Sequence, residues 1–494
     1  MALLWTIPPG TIPTFVLPTS ISTAVVSLRR SKARGLIVRG RFRLVTAALA
    51  ACLVSGCSTG VAEDNALVVW SLENQTDRVR ATERIAERFT QQTGIPVRVV
   101  AIDENQFSQM IMSAAAAGRP PDVIGALPLT ATWQLAGNEL LDTRAAQEIV
   151  DRLGPSTFAS RALGLTRDGD RQLAVPSDGW AQILVYRKDL FAAAGLGTPD
   201  TYDKIRQAAR TLNRDGIAGI SIATSANDAA TGQAFEGLAS GNGCELVDGQ
   251  GQISLDNAQC RGAFRFVNEL ITSYSSPGAQ DLDSTRATYL AGRSAMIMWS
   301  SYLLDELGGL RADAMPSCPQ CQQDPGFLAA NSGVVGAIKG PDGGTAAQYG
   351  ELTSWTVQVG AKREEAKRFV EYMMDEQAYP EWIGMAPEGK IPARRGTVAD
   401  PQRFTTAWEQ MPAGVDTKRP LGEIYPPETM RELRESTDHF RRWGFDQRQG
   451  VLMGAALSEM PVSKAVESML SGTTADEAAE QSAADVRAIQ TSLR

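Results

Sequence analysis

The sequence predicts an α/β fold in which mostly parallel sheets are flanked by helices. Between residues 66 and 136, short apolar runs of strand length alternate with helix-length amphipathic segments, which is typical of consecutive βαβ units. The 494 residues, 43% hydrophobic and 21% charged, are enough for two or three domains with their own cores. A polar bend at 176–180 runs directly into an apolar stretch at 181–186, which suits a crossing between two domains.

The first predicted units place polar residues after buried strands. Strands are predicted at 66–70, 97–102 and 123–127, and helices at 82–92, 105–117 and 130–136. Ile85, Ala86 and Phe89 share one face of the first helix, which ends at Gly94. Ligands of parallel sheets bind beyond the carboxyl ends of the strands. The candidate contacts from these strand ends are Glu73, Asn74, Asp103, Asn105 and Leu127.

The predicted crossing is followed by a short helix at 188–194 that ends at Gly195. Asp178 and Trp180 lie in the bend, so both are candidate ligand contacts. The remaining predicted elements are strands at 217–223 and at the end of 286–299, and helices at 201–212, 232–239, 259–274, 361–374, 429–443, 450–459, 462–470 and 474–492. Thr474 is the predicted N-cap of the last helix.

The first 57 residues have the features of a processing segment. Arg39, Arg41 and Arg43 precede ten apolar residues at 44–53, too few to span a bilayer. The following Val-Ser-Gly-Cys57 resembles a bacterial lipobox, whose cysteine would carry diacylglycerol. The alternative is a plain secretory signal with a chance cysteine. The signal is complete without residues 1–37, so we expect the true start near Val38, with 58–65 as a tether.

Charge and composition exclude some classes of function. Residues 1–57 hold seven basic and no acidic residues, so their removal takes the formal charge from −8 to −15. A strongly acidic mature protein argues against nucleic-acid binding. The single histidine argues against a histidine-based active site, and His439 is predicted to be a structural helix residue.

Four cysteines remain beyond the processing segment, and an extracytoplasmic location favours disulfides. They allow three pairings, of which we favour the nearest pairs, Cys244–Cys260 and Cys318–Cys321. Cys318-Pro-Gln-Cys321 is also compatible with a redox motif or half of a zinc site. No second such motif and no nearby histidine supports that alternative.

Four strings of the chain resemble one family. Val175-Pro-Ser-Asp-Gly-Trp-Ala-Gln-Ile-Leu-Val-Tyr-Arg-Lys-Asp-Leu-Phe-Ala-Ala-Ala-Gly-Leu196 is similar to the hinge of extracellular solute-binding proteins that serve ABC-type sugar importers. Residues 286–299 resemble the family's F-x-x-G-x-x-A-M string, with Tyr289 in place of phenylalanine. Residues 333–341 resemble the return crossing, and Gly389-Lys-Ile-Pro392 the last crossing. The likeness, to the maltose-binding-protein-like branch, covers nearly all of 66–490.

The resemblance implies two lobes joined by three hinge crossings. Residues 66–178 and 338–390 would form lobe 1, and residues 179–337 and 391–494 lobe 2. The expected function is capture of a sugar or sugar derivative in the interlobe cleft and its delivery to an ABC permease. We expect a monomer without cofactor or metal, anchored by lipid on the extracytoplasmic face of the cell membrane.

Sugar sites combine flat aromatic surfaces with carboxylates and amides. Carry-over from the family favours Asp178, Trp180 and Trp299, with Ser300 beside Trp299. Tyr349 lies near the return crossing, and Glu388 and Arg394 come from the last one. The alternative for Glu73 and Asp103 is a solvated loop acid. Trp70 could equally be core, and four further tryptophans are expected to be core or surface residues: Trp133, Trp382, Trp408 and Trp443.

Two other classes of function stay open. Paired carboxylates could cleave a glycosidic bond in a secreted carbohydrate-active enzyme, although no strong catalytic string is present. A surface adhesin is the second alternative. Within the binding class, an oligosaccharide, an amino sugar or a glycerophospho compound would suit acids and indoles. The acidic lining favours neutral or amino sugars over phosphorylated ones.

Overall fold

The computed structural model describes residues 65–493, and the signal segment, Cys57 and the tether up to residue 64 lie outside this range. The strands are β1 (Leu67–Ser71), β2 (Val97–Ala101), β3 (Val123–Pro128), β4 (Arg167–Asp168), β5 (Arg171–Gln172), β6 (Val175–Arg187), β7 (Met296–Ser300), β8 (Ser332–Val335), β9 (Gln348–Val357), β10 (Ile391–Pro392), β11 (Pro412–Ala413), β12 (Arg419–Pro420) and β13 (Phe440–Arg441).

The helices alternate with the strands in the first part of the chain and dominate the last part. They are α1 (Thr76–Thr93), α2 (Glu104–Ala116), α3 (Leu129–Gly137), α4 (Thr143–Leu153), α5 (Ser160–Leu165), α6 (Lys188–Ala193), α7 (Tyr202–Leu212), α8 (Ala229–Gly241), α9 (Ala258–Ser273), α10 (Leu282–Leu290), α11 (Leu303–Leu307), α12 (Phe327–Asn331), α13 (Arg363–Met373), α14 (Ala378–Ile383), α15 (Arg403–Glu409), α16 (Leu421–Ile424), α17 (Pro427–Glu435), α18 (Gly450–Glu459), α19 (Pro461–Leu470) and α20 (Ala475–Ser492). Between residues 65 and 493, none of the helices combines the length and the apolar character that crossing a bilayer requires.

The largest sheet has the strand order β10-β6-β9-β3-β1-β2. β1 lies between β2 and β3 and is parallel to both, as the βαβ pattern predicts. β9 is antiparallel to β3 and to β6, so it joins the parallel part of the sheet to the crossing strand. The carboxyl ends of β1 and β3 therefore point towards the same edge of the sheet, where the candidate polar residues follow them.

β6 is one continuous strand, and the predicted bend at 176–180 is wrong. Its first half pairs with β9 and β10, and its second half pairs with β7 and β8. The Pro-Ser-Asp-Gly composition indicates a turn, but neighbours on both sides satisfy the backbone hydrogen bonds of this segment. The irregularity appears only as a shift of register between Pro176 and Asp178, which is typical of a bulge.

The part of the molecule beyond β6 is built on β7 and β8, both antiparallel to β6. The predicted strand at 217–223 does not form a regular strand. It is reduced to isolated parallel bridges, Ala218 to Ser294 and Ser221 to Ile297. Both predicted disulfides, Cys244–Cys260 and Cys318–Cys321, are present. Because Cys318 and Cys321 are bonded to each other, neither is present as a free thiol.

The amphipathic helices bury the predicted faces. Ile85, Ala86 and Phe89 of α1 are buried, and Gly94 ends this helix in the left-handed conformation with φ of 74°. The rings of Phe89 and Phe369 meet edge to face with centroids 5.2 Å apart, which joins α1 to α13 in the core below the sheet. All four tryptophans expected outside the site are buried: Trp133, Trp382, Trp408 and Trp443.

The helix predicted at 429–443 is too long. α17 ends at Glu435, and Phe440 and Arg441 form β13, which pairs in parallel with the start of β9. The open edge of β9 offers hydrogen bonds that end the helical run, and His439 is consequently exposed and outside a helix. α18 then packs on α3, whereas α19 and α20 pack on α9. Thr474 caps α20 in a capping box with Glu477, as predicted.

Candidate functional site

A cleft of about 740 Å³ lies where the ends of β1 and β3 face β6, β7 and the helices that follow them. This volume is in the usual range for small-molecule sites. Three aromatic side chains line it: Trp180 of β6, Trp299 of β7 and Tyr302 just beyond β7. Carboxylates, amides and arginines fill the spaces between them. The cleft therefore has the mixture of flat apolar and polar surface that the sequence predicts.

The two indoles are held in place from behind. The ring of Trp180 packs against Tyr349, with centroids 5.8 Å apart. Trp299 donates its Nε1–H to the carbonyl of Leu282 at 3.2 Å, and the Arg286 guanidinium lies 5.7 Å from its ring centroid. Because these contacts restrict the rotamers, the partly exposed ring of Trp180 and the small accessible part of Trp299 are preorganised to receive a ligand.

Glu73 is the acid at the centre of the first wall. Arg78 donates to it at 2.9 Å, and Lys390 Nζ lies 2.7 Å from its other oxygen and 3.0 Å from Asp178. Burial alone would raise the pKa of Glu73, but Lys390 and Arg78 outweigh burial and lower the pKa to about 2. Glu73 therefore remains an ionised hydrogen-bond acceptor at the cleft.

Asp178 lies behind the cleft rather than in its lining. Its side chain is 1% exposed, and its carboxylate accepts hydrogen bonds from Ser177 (2.6 Å), Trp382 (2.9 Å), Thr353 (3.0 Å) and Lys390 (3.0 Å). The expectation that Asp178 faces a ligand is thus not met, because four donors from its own fold surround it. It contacts the site indirectly, through the ammonium of Lys390.

A second buried ion pair supports the wall formed by β9. Glu351 lines the cleft and accepts the Leu129 backbone N–H at 3.0 Å through one oxygen. Arg442 donates to the other oxygen at 2.7 Å, and its guanidinium stacks 4.5 Å from the Tyr349 ring centroid. Glu236 lies 3.4 Å from the same guanidinium. Arg442 thus fixes both Glu351 and, through Tyr349, the back of Trp180.

α11 brings a third acid to the cleft. Arg286 donates to Glu306 at 2.8 Å, while the other carboxyl oxygen of Glu306 has no hydrogen-bond partner among residues 65–493. Burial raises the pKa of Glu306 to about 7, against the opposing effect of Arg286. Burial and Glu388 together raise the pKa of the neighbouring Asp305 to about 8. Glu306, which lines this end of the cleft, therefore takes up a proton near neutral pH, as does the fully buried Asp305 next to it in sequence.

Six of the twelve candidate ligand contacts line the cleft together: Glu73, Asn74, Asn105, Trp180, Trp299 and Ser300. Asp103 is exposed and caps α2. Its carboxylate accepts the backbone N–H of Asn105 at 3.0 Å and the side-chain NH2 of Asn74 at 3.4 Å. Leu127 is buried in β3, and Glu388 is buried within electrostatic range of Tyr302 and Arg78.

Tyr349 and Arg394 lie outside the cleft lining for packing reasons. Tyr349 stands behind Trp180. Arg394 is buried and donates to the carbonyl of Leu153 at 3.1 Å and to Thr157 at 3.2 Å, so its guanidinium ties the last crossing to the segment after α4.

Several lining residues lie outside the segments that the sequence indicates for ligand contact. They are Gln75, Arg78, Gln182, Gln233, Arg286, Glu306, Arg311, Glu351 and Thr353. β9 is almost entirely buried although half of its residues are polar, Glu351 and Thr353 among them, and this polar content could have indicated a functional strand. Within the described part of the chain, no group of three or more histidine, cysteine or acidic side chains is placed to hold a metal ion.

Comparison with known proteins finds similarity over most of the chain. A family model described as bacterial extracellular solute-binding protein matches residues 73–380. The Escherichia coli (strain K12) protein YcjN, named as a periplasmic-binding protein of an ABC transporter, is 25% identical over 405 residues, which is 80% of this chain and 86% of YcjN.

Solved structures share the fold at lower identity. The cyclic α-maltosyl-1,6-maltose binding protein of Arthrobacter globiformis superposes with a TM-score of 0.65 at 17% identity, over 86% of this chain and 99% of that chain. Maltose-bound MalE3 of T. maritima superposes with a TM-score of 0.63 at 17% identity, over 85% of this chain and 98% of that chain. The likeness confirms the two-lobed α/β architecture.

Proposed function

The chain belongs to the bacterial extracellular solute-binding proteins, and from this premise we propose that its cleft captures a neutral or amino sugar for the permease of an ABC importer. Membership supports the role of substrate-binding component and an extracytoplasmic location. Maltose and cyclic α-maltosyl-1,6-maltose are the sugars named for two structural relatives. These ligands support a sugar as the class of molecule that this cleft binds.

The composition of the cleft is the observation that carries the proposal. Trp180, Trp299 and Tyr302 offer flat surfaces for the C–H faces of sugar rings. Glu73 and Glu351, each paired with buried cations, accept hydrogen bonds from hydroxyls, and Glu73 stays ionised near neutral pH because its pKa is lowered to about 2. Asn74, Asn105 and Ser300 add donors and acceptors. The combination suits a ligand with many hydroxyls and an apolar ring face.

We propose that ligand binding closes two lobes on each other. Lobe 1 is composed of residues 66–178 and 338–390, and lobe 2 of residues 179–337 and 391–494. The cleft receives residues from both, since Glu73 belongs to the first set and Trp299 to the second. A ligand that touches both walls favours the closed arrangement by its additional contacts there. The closed form would then dock on the permease.

We further propose that Cys57 carries a lipid anchor on the extracytoplasmic face of the membrane. This rests on the lipobox-like string alone, since Cys57 lies outside the described residues. Mass spectrometry of the mature protein should find a diacylated N-terminal Cys57. A mature chain that starts at another residue would contradict the anchor without affecting the sugar proposal.

A pool of oligosaccharides tests binding against catalysis. The protein is incubated with the pool, and bound and free sugars are separated and analysed by mass spectrometry. A binding protein returns its ligand intact, an enzyme returns fragments, and an adhesin without a sugar site retains nothing. Retention of one or a few intact sugars, with calorimetric Kd values in the micromolar range or below, would support the proposal.

A further inference from the structure

A small apolar side pocket adjoins the cleft. Its volume is about 60 Å³, and its walls include Leu246, Met453, Ala456, Met460 and Val462. The pocket and the cleft share four lining residues: Thr130, Ala229, Gln233 and Leu457. The pocket is therefore a lateral extension of the space in which the ligand is proposed to bind.

The volume and lining of the side pocket suit a methyl-sized group. A cavity of roughly 10–15 Å³ already holds a water, so this pocket has room for more than one heavy atom. The polar groups of its floor are mostly paired, and among the described residues only the Nε of Arg442 at this floor is buried without a hydrogen-bond partner. Glu236 accepts the Trp443 backbone N–H at 2.8 Å, and Arg442 is paired with Glu351 at 2.7 Å. Transfer of an apolar group from water to such walls is favourable.

Gln233 stands where the pocket meets the cleft. It lines both spaces. Within residues 65–493, its side-chain amide has no intramolecular hydrogen bond. The NH2 group of Gln233 can donate a hydrogen bond to the carbonyl oxygen of an acylamino group on the ligand. The same acyl carbon carries the methyl group, so one substituent can meet both Gln233 and the apolar walls of the side pocket.

From these features we propose that the ligand is an N-acylated amino sugar whose amide pairs with Gln233 and whose acyl methyl enters the side pocket. The inference rests on the proposed function, because it requires a sugar in the cleft. It narrows that function to a chemical class and assigns the specificity for the acyl group to residues of α8, α18 and the start of α19.

Matched disaccharides test the acyl preference. Calorimetry compares cellobiose, its di-amino counterpart and N,N′-diacetylchitobiose, and compares lactose with N-acetyllactosamine. Burial of one methyl group and one additional amide hydrogen bond should give the acetylated sugar about tenfold higher affinity than its hydroxyl partner. The free amine should bind no more tightly than the hydroxyl sugar.

Ala456→Leu fills the pocket and has a matched control on the same helix. Ala455→Leu adds the same volume to α18 at a position that lines an outer groove instead of the side pocket. Ala456→Leu should remove the tenfold preference, and the midpoint of its thermal unfolding, compared with that of the native chain, shows whether the variant is folded. Ala455→Leu should leave both affinities unchanged. Gln233→Ala should reduce the preference severalfold.

The possible outcomes separate this inference from the proposed function. If hydroxyl and acetylated sugars bind equally, or if the free amine binds most tightly, the acyl pocket is contradicted while the sugar function stands. Retention of the preference in Ala456→Leu also contradicts the inference. If none of these sugars and no member of the oligosaccharide pool binds, both the inference and the sugar function are wrong.

Discussion

Trp180 is the side chain on which the candidate site depends most directly. It lines the cleft from the central strand β6 and is partly exposed, while Tyr349 supports its ring. Asp178, two residues earlier, is enclosed by four donors. The two residues therefore require separate experiments, because loss of Asp178 would leave the buried ammonium of Lys390 short of a partner.

Trp180→Ala should weaken sugar binding by about tenfold to a hundredfold, because a stacking surface worth about 1.5–3 kcal/mol is lost. Trp180→Phe keeps a flat apolar ring and should recover most of the affinity. Calorimetry with the sugar identified from the pool measures the effect, and the midpoint of thermal unfolding should change little. An alanine variant with unchanged affinity would remove Trp180 from the site.

Glu73 makes the stability of the protein depend on pH in the acid range. Its pKa in the folded protein is about 2, below the value of 4.5 expected for an unfolded chain. The unfolded state therefore takes up a proton first as the pH falls. The stabilisation by Glu73 is fully present above about pH 4.5 and is lost as the pH falls towards 2, by about 3 kcal/mol in total.

Urea unfolding at pH 5 and pH 3 measures this dependence. Glu73→Gln should flatten the decrease in the free energy of unfolding between these values, whereas the exposed Glu83→Gln on α1 should leave it unchanged. If the slope for Glu73→Gln equals that of the native chain, the Lys390 and Arg78 pairs do not control the ionisation of Glu73.

Among the secondary-structure elements, α18 packs closely on α3 at Gly450, where the absence of a side chain leaves room for the ring of Trp133. A Cβ on Gly450 would stand 2.2 Å from the ring of Trp133, and the Trp133 Nε1–H is fixed to the carbonyl of Leu165 at 2.9 Å. The ring cannot move away without breaking that hydrogen bond. Gly454 on the same helix has space, since the nearest atom to its Cβ position is 3.5 Å away.

Gly450→Ala should lower the free energy of unfolding by about 1–3 kcal/mol through overpacking. Gly454→Ala should instead be neutral or stabilise by up to about 1 kcal/mol, because alanine favours the helix. Urea unfolding of the two variants gives the comparison. Equal effects of the two substitutions would show that the α18–α3 contact does not constrain the molecule.

Element types were largely predictable, whereas their ends and pairings were less so. The buried face of α1 follows from its 3.6-residue periodicity, and the bounds of α18 and α20 follow from local signals. The bend at 176–180 and the helix at 429–443 were wrong because strand neighbours supply backbone hydrogen bonds to both segments. Such partners are distant in sequence, and local propensity contains no information about them.

For the whole molecule, the main prediction is closure on ligand binding. Small-angle X-ray scattering with saturating sugar should show a smaller radius of gyration than the free protein, because the ligand bridges walls formed by residues from both parts of the chain. Trp180→Ala should need proportionally more sugar to reach the same decrease. An identical radius with and without bound sugar would contradict closure as the mechanism.

The sequence alone determined the family and the two-lobed α/β fold, favoured the two disulfides that form, and identified the two indoles of the cleft. Each of these follows from local strings, spacing or composition. The tertiary structure decided that Asp178 lies behind the site and that Arg442, from the far end of the chain, supports Glu351. It also placed the side pocket between α8 and α18. Burial and ion pairing arise from contacts between segments remote in sequence, so they emerge only when the chain is folded.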